Sequence, residues 1–212
     1  MKIGVIGSGT VGGTLGKRWA QGGHSVLFSS RHPESEKMKT LIEAAGPNAA
    51  ASSVAHTVEQ SDILLLASPW PATKEMVAAA GDLAGKILID VTNPFLPDLS
   101  GIEVGTNSSA GELVASWAPG AKVVKAFNTI GVNIMADPNF NGRSALLLYC
   151  GDDADAKASV AHLATELGFD AQDAGPLKQA RVLEPLGLLW VSLAYVQGLG
   201  PEFAFQIVKR AP

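Results

Sequence analysis

Met1-Lys-Ile-Gly-Val-Ile-Gly7-Ser-Gly9-Thr-Val-Gly12 decides the fold, because an apolar run ends directly in the spacing G-x-G-x-x-G. The stretch reads as a first strand, a tight turn and the opening of a helix. Gly7 allows the turn, Gly9 lets a pyrophosphate approach the backbone, and Gly12 lets the helix pack closely on the strand. The N-terminus of that helix presents free N–H groups to an anion. A glycine triplet alone is weak evidence, but here its context is complete. A helical run, Thr10 to Gln21, and a second strand, Ser25 to Ser29, follow in order.

The end of the second strand discriminates between cofactors. A dinucleotide with a free ribose 2′-OH is held there by an Asp or Glu, whereas this chain has Phe28-Ser29-Ser30-Arg31-His32-Pro33. A carboxylate would repel a 2′-phosphate; hydroxyls and a guanidinium offer it charge-assisted hydrogen bonds. Ser30 and Arg31 therefore point to NADP(H) rather than NAD(H), with Lys37 a candidate for a second positive charge. The competing reading of Arg31 is an ordinary solvated surface arginine.

Strand-like and helix-like segments alternate along the 212 residues, the pattern of an α/β, Rossmann-type, doubly wound and mostly parallel sheet. Strands are expected at Ala49 to Ser53, Ile63 to Ala67, Lys86 to Asp90, Lys122 to Phe127, Ser144 to Cys150 and Phe169 to Ala174. Helices are expected over Pro71 to Ala80, from Ser109-Ala-Gly-Glu112 to Trp117, and from Asp152/Asp153 to Leu167. Thr57 to Gln60 has the spacing to cap a brief helical turn. From Gln179 the chain reads as helix, with Pro185 near its start or at a kink. The expected division is a dinucleotide-binding domain, 1–175, and a small helical C-terminal extension, 176–212.

A composition of 47% hydrophobic and 17% charged residues is that of an ordered globular chain, and a net charge of -4 favours neither nucleic acid nor an anionic membrane. The single Cys150 excludes an internal disulfide and reads as a buried strand residue rather than a nucleophile. No leader-like segment precedes the first strand, and the longest apolar stretch, Leu186 to Val196, is shorter than the ~20 residues of a membrane span. A soluble, cytoplasmic protein is expected. That apolar stretch, taken as a helix, should be buried, within the chain or in a homodimer.

In a doubly wound sheet, ligands sit outside the carboxyl ends of the strands. Three loops there carry amides, hydroxyls and rings: Ser68-Pro69-Trp70, Thr92-Asn93-Pro94-Phe95 and Phe127-Asn128-Thr129-Ile130. Turn chemistry alone would also place Pro and Asn in loops. No metal-ligand spacing stands out, His56 and His162 have no partners in sequence, and His24, at a strand start, and Lys125 read as structural. No catalytic acid–base residue is assigned, which suits hydride transfer between two positioned rings.

On these residues the chain resembles the NADPH-dependent reductases of 8-hydroxy-5-deazaflavin (coenzyme F420). The resemblance covers nearly the full length. It rests on the glycine loop, Ser30-Arg31, Ser68-Pro69-Trp70, Cys150-Gly-Asp-Asp153, Asp173-Ala-Gly-Pro-Leu177 and Ala180-Arg181-Val-Leu-Glu184. It implies a deazaflavin stacked on the nicotinamide with direct hydride exchange. It also implies Ser8, Thr10 and Val11 at the pyrophosphate, and Ser68, Asn93 and the Asn128-Thr129 loop near the ribose and nicotinamide. The Thr-Asn-Pro-Phe and Asn-Thr-Ile-Gly loops depart from that family. They look more like the cytosolic reductase domains of membrane metalloreductases and their stand-alone bacterial relatives, which pass hydride to a flavin. The expected acceptor pocket is Trp70, Pro94, Phe95, Pro176, Leu177 and Arg181, with Arg181 and Glu184 alternatively a plain helix pair. Two other readings stay open: reduction of a small imine or ketone, and a non-catalytic NADP(H) sensor.

Overall fold

Four-residue apolar runs such as Ile63–Leu66 have no polar face, so as strands they must be covered on both sides, and the chain does this with helices. In the computed structural model, which describes residues 1–210, β1 (Lys2–Ile6), β2 (Ser25–Ser29), β3 (Ala49–Ser52), β4 (Ile63–Leu66), β5 (Ile87–Asp90) and β6 (Lys122–Lys125) run parallel. Helices α1 (Thr10–Gln21), α2 (Glu36–Ala45), α3 (Val54–Gln60), α4 (Trp70–Ala80) and α5 (Ala110–Trp117) connect them. After α6 (Val132–Ala136) and the short hairpin β7 (Asn139–Phe140) with β8 (Arg143–Ser144), β9 (Leu146–Gly151) adds antiparallel to β6. Helix α7 (Ala154–Glu166) returns the chain to β10 (Asp170–Asp173), parallel to β9. The sheet order β10-β9-β6-β5-β4-β1-β2-β3 puts the reversal of strand order beside β1, where the glycine loop leaves.

Each face of the sheet has its own core. Trp19, Phe28, Phe127 and Phe169 anchor one, and Leu64, Leu66, Leu88 and Leu183 the other. The caps follow the sequence: Ser109 accepts the Glu112 N–H and Asp153 the Ala156 N–H. Thr57 is a correction. It is buried inside α3, which starts earlier because Ser53 is the cap and accepts the His56 N–H at 3.3 Å. Helix α2, helix α6 and the β7–β8 hairpin were not assigned from sequence.

The C-terminal segment begins with a 3-10 turn, Leu177–Gln179, then α8 (Ala180–Val191), which contains Pro185, and a π turn, Ser192–Val196. Within the single chain it is buried on one side only. Leu183, Gly187 and Trp190 are buried, but Val182, Leu189, Tyr195 and Val196 are 60%, 48%, 61% and 60% exposed. Beyond it the chain doubles back, Phe203 stacking on Trp190 and the Phe205 carbonyl accepting the Leu146 N–H at 3.3 Å.

Candidate functional site

The β1–α1 turn is shaped by what its glycines lack. Gly7 has φ +100°, and a Cβ there would collide with the Ala67 carbonyl. A Cβ on Gly12 would strike the Gly7 carbonyl, whereas one on Gly9 would meet nothing within 4 Å. The first and third glycines thus serve packing, and the second leaves open space before the N-terminus of α1. Those are the requirements of a pyrophosphate cradle.

A cleft of about 780 Å³ opens beside that turn. Gly7, Ser8, Ser30, Arg31, His32, Ser35 and Lys37 line one side, and Val54, Ala72, Glu75, Met76 and Ala79 the other. The Ser30 hydroxyl accepts the His32 N–H at 3.0 Å, leaving its own proton free to donate. Arg31 and Lys37 are exposed. Ser35 is the cap of α2 but makes no side-chain cap bond, so its hydroxyl and the start of α2 face the same cleft. His32 and Ser35 were missed in the sequence. A serine two residues after a proline and directly before an amphipathic run was the available signal. Hydroxyls, a guanidinium, an ammonium and a helix start fit a 2′-phosphate, so the residues present fit NADP(H).

Over β4, β5 and β6 the polar side chains are tied together. Ser68 lies 2.9 Å from the Thr73 hydroxyl, and Pro69 caps α4. Trp70 stacks on Trp117, centroids 5.5 Å apart, and its Nε1 donates to Glu103. Asn93 donates to the Asn128 carbonyl at 2.8 Å. Asn128 Nδ2 donates to Asn93 Oδ1 and to the Leu183 carbonyl, both at 3.1 Å, while Asn128 Oδ1 is left without a partner. Thr129 is buried. Phe127, fully buried with φ +62°, turns the chain sharply at the end of β6, its ring held edge-on by Trp19 and Phe169. Such a conformation in a bulky residue stores about 1–3 kcal/mol and needs that packing to persist.

The six residues expected around an acceptor differ in exposure. Leu177 is 5% exposed and packs in the core with Cys150 and Val114, so it offers an acceptor no surface. Pro94 is buried, its carbonyl accepting the Glu103 N–H, and Phe95 bridges to Ile102. Pro176 is exposed. Arg181 does not pair with Glu184 along the helix. It clasps Glu112 of α5 through Nε at 2.7 Å and a terminal nitrogen at 2.6 Å, holding that carboxyl below its usual range.

Glu184 turns inward instead. Asp90, Lys125 and Glu184 form a fully buried ion cluster: Lys125 Nζ lies 2.9 Å from each carboxylate and 2.6 Å from the Thr92 carbonyl. The two acids hold the lysine above its ordinary value despite burial, while burial pushes Glu184 up. Lys125, read as structural from its place in the strand, is wholly buried and paired. Close by, the Cys150 thiol is pushed up to about 12 by burial.

The chain is similar to known proteins. The family model for NADP oxidoreductases, coenzyme F420-dependent, matches residues 2–94. A crystal structure of an Arthrobacter sp. FB24 protein classed as an F420-dependent NADP-reductase superimposes with a TM-score of 0.88. It is 32% identical and covers 99% of this chain and 100% of that one. Metalloreductase STEAP3 of Rattus norvegicus is 33% identical over 89% of this chain and 37% of its own length, so the chain spans about a third of that relative. A reductive aminase of Aspergillus terreus, solved with NADPH and ethyl levulinate, shares the fold at 23% identity and a TM-score of 0.68, over 93% of this chain and 62% of that one. With the Rossmann strand order and the glycine turn in place, the full-length match at 32% identity makes the chain a member of the coenzyme F420-dependent NADP oxidoreductase family.

Proposed function

We propose that the protein moves hydride between NADPH and a flat ring acceptor, a deazaflavin first and FMN, FAD or riboflavin second. The observation that carries this reading is the cleft, which gathers Ser30, Arg31, Ser35 and Lys37 beside the glycine loop. Gly7, Ser8, Gly9, Thr10, Val11 and Gly12 would hold the pyrophosphate, and the Asn93–Asn128 pair with Ser68 and Thr129 would frame the ribose and nicotinamide. NADPH, when bound, supplies the hydride. The chain supplies orientation, through strand ends locked by buried hydrogen bonds, and an apolar rim at Trp70, Phe95 and Pro176 against which a ring could lie. Leu177 and Arg181 would support that rim rather than touch the ring.

Lys125 bears on the chemistry as well. All three of its N–H bonds are taken by Asp90, Glu184 and Thr92, so it cannot act as the acid or base that alcohol oxidation needs. Transfer between two rings makes a smaller demand on proton donors, which favours it over imine or ketone reduction. The decisive experiment is anaerobic mixing of protein, NADPH and oxidised deazaflavin, with FMN in a parallel cuvette. Bleaching of deazaflavin in step with NADPH loss supports the first choice, and reduction of FMN alone moves the protein to the flavin reductases. If neither changes while NADPH binds, the sensor reading replaces catalysis.

The exposed apolar residues of α8 and its π turn fit a homodimer contact. A monomeric mass by light scattering at micromolar concentration would remove that part of the reading.

A further inference from the structure

The Asp90–Lys125–Glu184 cluster is sealed from water, and its hydrogen bonds define its charge. Asp90 Oδ1 receives the N–H and the hydroxyl of Thr92, and Oδ2 receives Lys125. Glu184 receives Lys125 and the N–H groups of Ala110 and Gly111 at the start of α5. An ammonium, three backbone N–H groups and the Thr92 hydroxyl donate to the two carboxylates, an environment that favours their charged forms. With the two carboxylates and the lysine in those forms, the cluster carries one net negative charge. The start of α5 offsets part of it.

Its place in the sheet matters. Asp90 and Lys125 are the last residues of β5 and β6. The phosphate cleft lies over the ends of β1 and β2, on the other side of β4. A dinucleotide anchored at the glycine loop therefore extends its second half over the carboxyl ends of β4, β5 and β6. Strands lie about 4.8 Å apart, so that half spans roughly the two strands whose ends carry the cluster.

We propose that the Asp90–Lys125–Glu184 cluster is an electrostatic element that favours the oxidised, positively charged nicotinamide over the neutral reduced ring, making bound NADPH a stronger hydride donor. The proposal rests on the NADP(H) reading above. The balance is simple: two electrons and one proton leave as hydride to the ring acceptor, the C–H bond of the nicotinamide breaks, and the ring is left with one positive charge. A buried negative charge acts across low-dielectric protein and is little screened by salt. A field that eases this step must also tighten NADP+ relative to NADPH at equilibrium.

The test therefore needs binding alone. Dissociation constants for NADP+ and for NADPH are measured for the wild type, Glu184→Gln and Asp90→Asn. The two substitutions each remove one negative charge, from α8 and from β5. Both should raise the ratio Kd(NADP+)/Kd(NADPH) by about three- to tenfold, with little dependence on salt. The double variant Lys125→Met/Glu184→Gln restores the net charge while leaving the ion pair broken, and should return the ratio toward that of the wild type. An unchanged ratio, equal weakening of both cofactors, or a double variant that stays shifted would overturn the proposal and leave a structural staple. If one single variant does not fold, the other decides. A wild type that binds neither cofactor would instead overturn the NADP(H) reading.

Discussion

Over the ends of β1 and β2 exposed charges and half-buried hydroxyls line a cleft, whereas over the ends of β5 and β6 the charged side chains are buried and bonded to one another. The first region presents the exposed charges of Arg31 and Lys37 to its cleft. The second spends nearly all its donors and acceptors on fixing the backbone. Recognition of a charged phosphate needs free charge at the surface. Placement of a reacting ring needs walls that do not move.

The contrast breaks most visibly at Lys125. Lys125→Met leaves two buried carboxylates uncompensated and should cost about 3–5 kcal/mol of stability in a urea titration. A loss under about 1 kcal/mol would mean that water reaches the cluster. Leu177→Ala should cost about 2–5 kcal/mol as a core truncation and leave NADPH affinity unchanged. Retained stability with a raised acceptor KM would return Leu177 to the acceptor pocket. On the exposed side, Arg31→Ala should leave the melting temperature alone and weaken NADPH by about 1.5–3 kcal/mol, the range for hydrogen bonds to charged groups. An unchanged NADPH/NADH ratio would reassign the 2′-phosphate to other residues. The smallest effect concerns Glu112, whose carboxyl is held below 4.5, first by its bonds to Arg181. A lowered value means that its contribution is complete above pH 4.5 and is lost as the pH falls toward the lowered value. Melting temperatures of Glu112→Gln should therefore be lower than wild type at neutral pH and converge with it in acid.

The exposed region was legible in the sequence because its signals are local. Glycine spacing, an absent acid and Ser30-Arg31 all lie within one β-α-β stretch, and the cleft gathers those residues. The buried region was not, because its partners lie far apart in the chain. Glu184 reaches Lys125 across 59 residues and Arg181 reaches Glu112 across 69. From sequence alone the two helical residues, three positions apart, could equally have been partners of each other. The one-sided exposure of α8 escaped for a related reason: an apolar run tells that a surface is available for burial but not what buries it. Helix α2 was overlooked between two strands although Ser35 opens it, and with it went a hydroxyl at the phosphate cleft.

Cys150 sits in the interior with its thiol pushed up to about 12 and its Sγ 3.7 Å from the Leu177 carbonyl. At neutral pH it has essentially no thiolate, and its burial shuts out reagents. The chain's single cysteine is thus chemically silent to maleimides and spin labels, and needs no removal before labelling. A Tyr195→Cys substitution, at a side chain 61% exposed on the apolar face of the C-terminal segment, would create one attachment point on an otherwise blank background. The distance between two such labels would then reveal directly whether copies of the chain meet on that face.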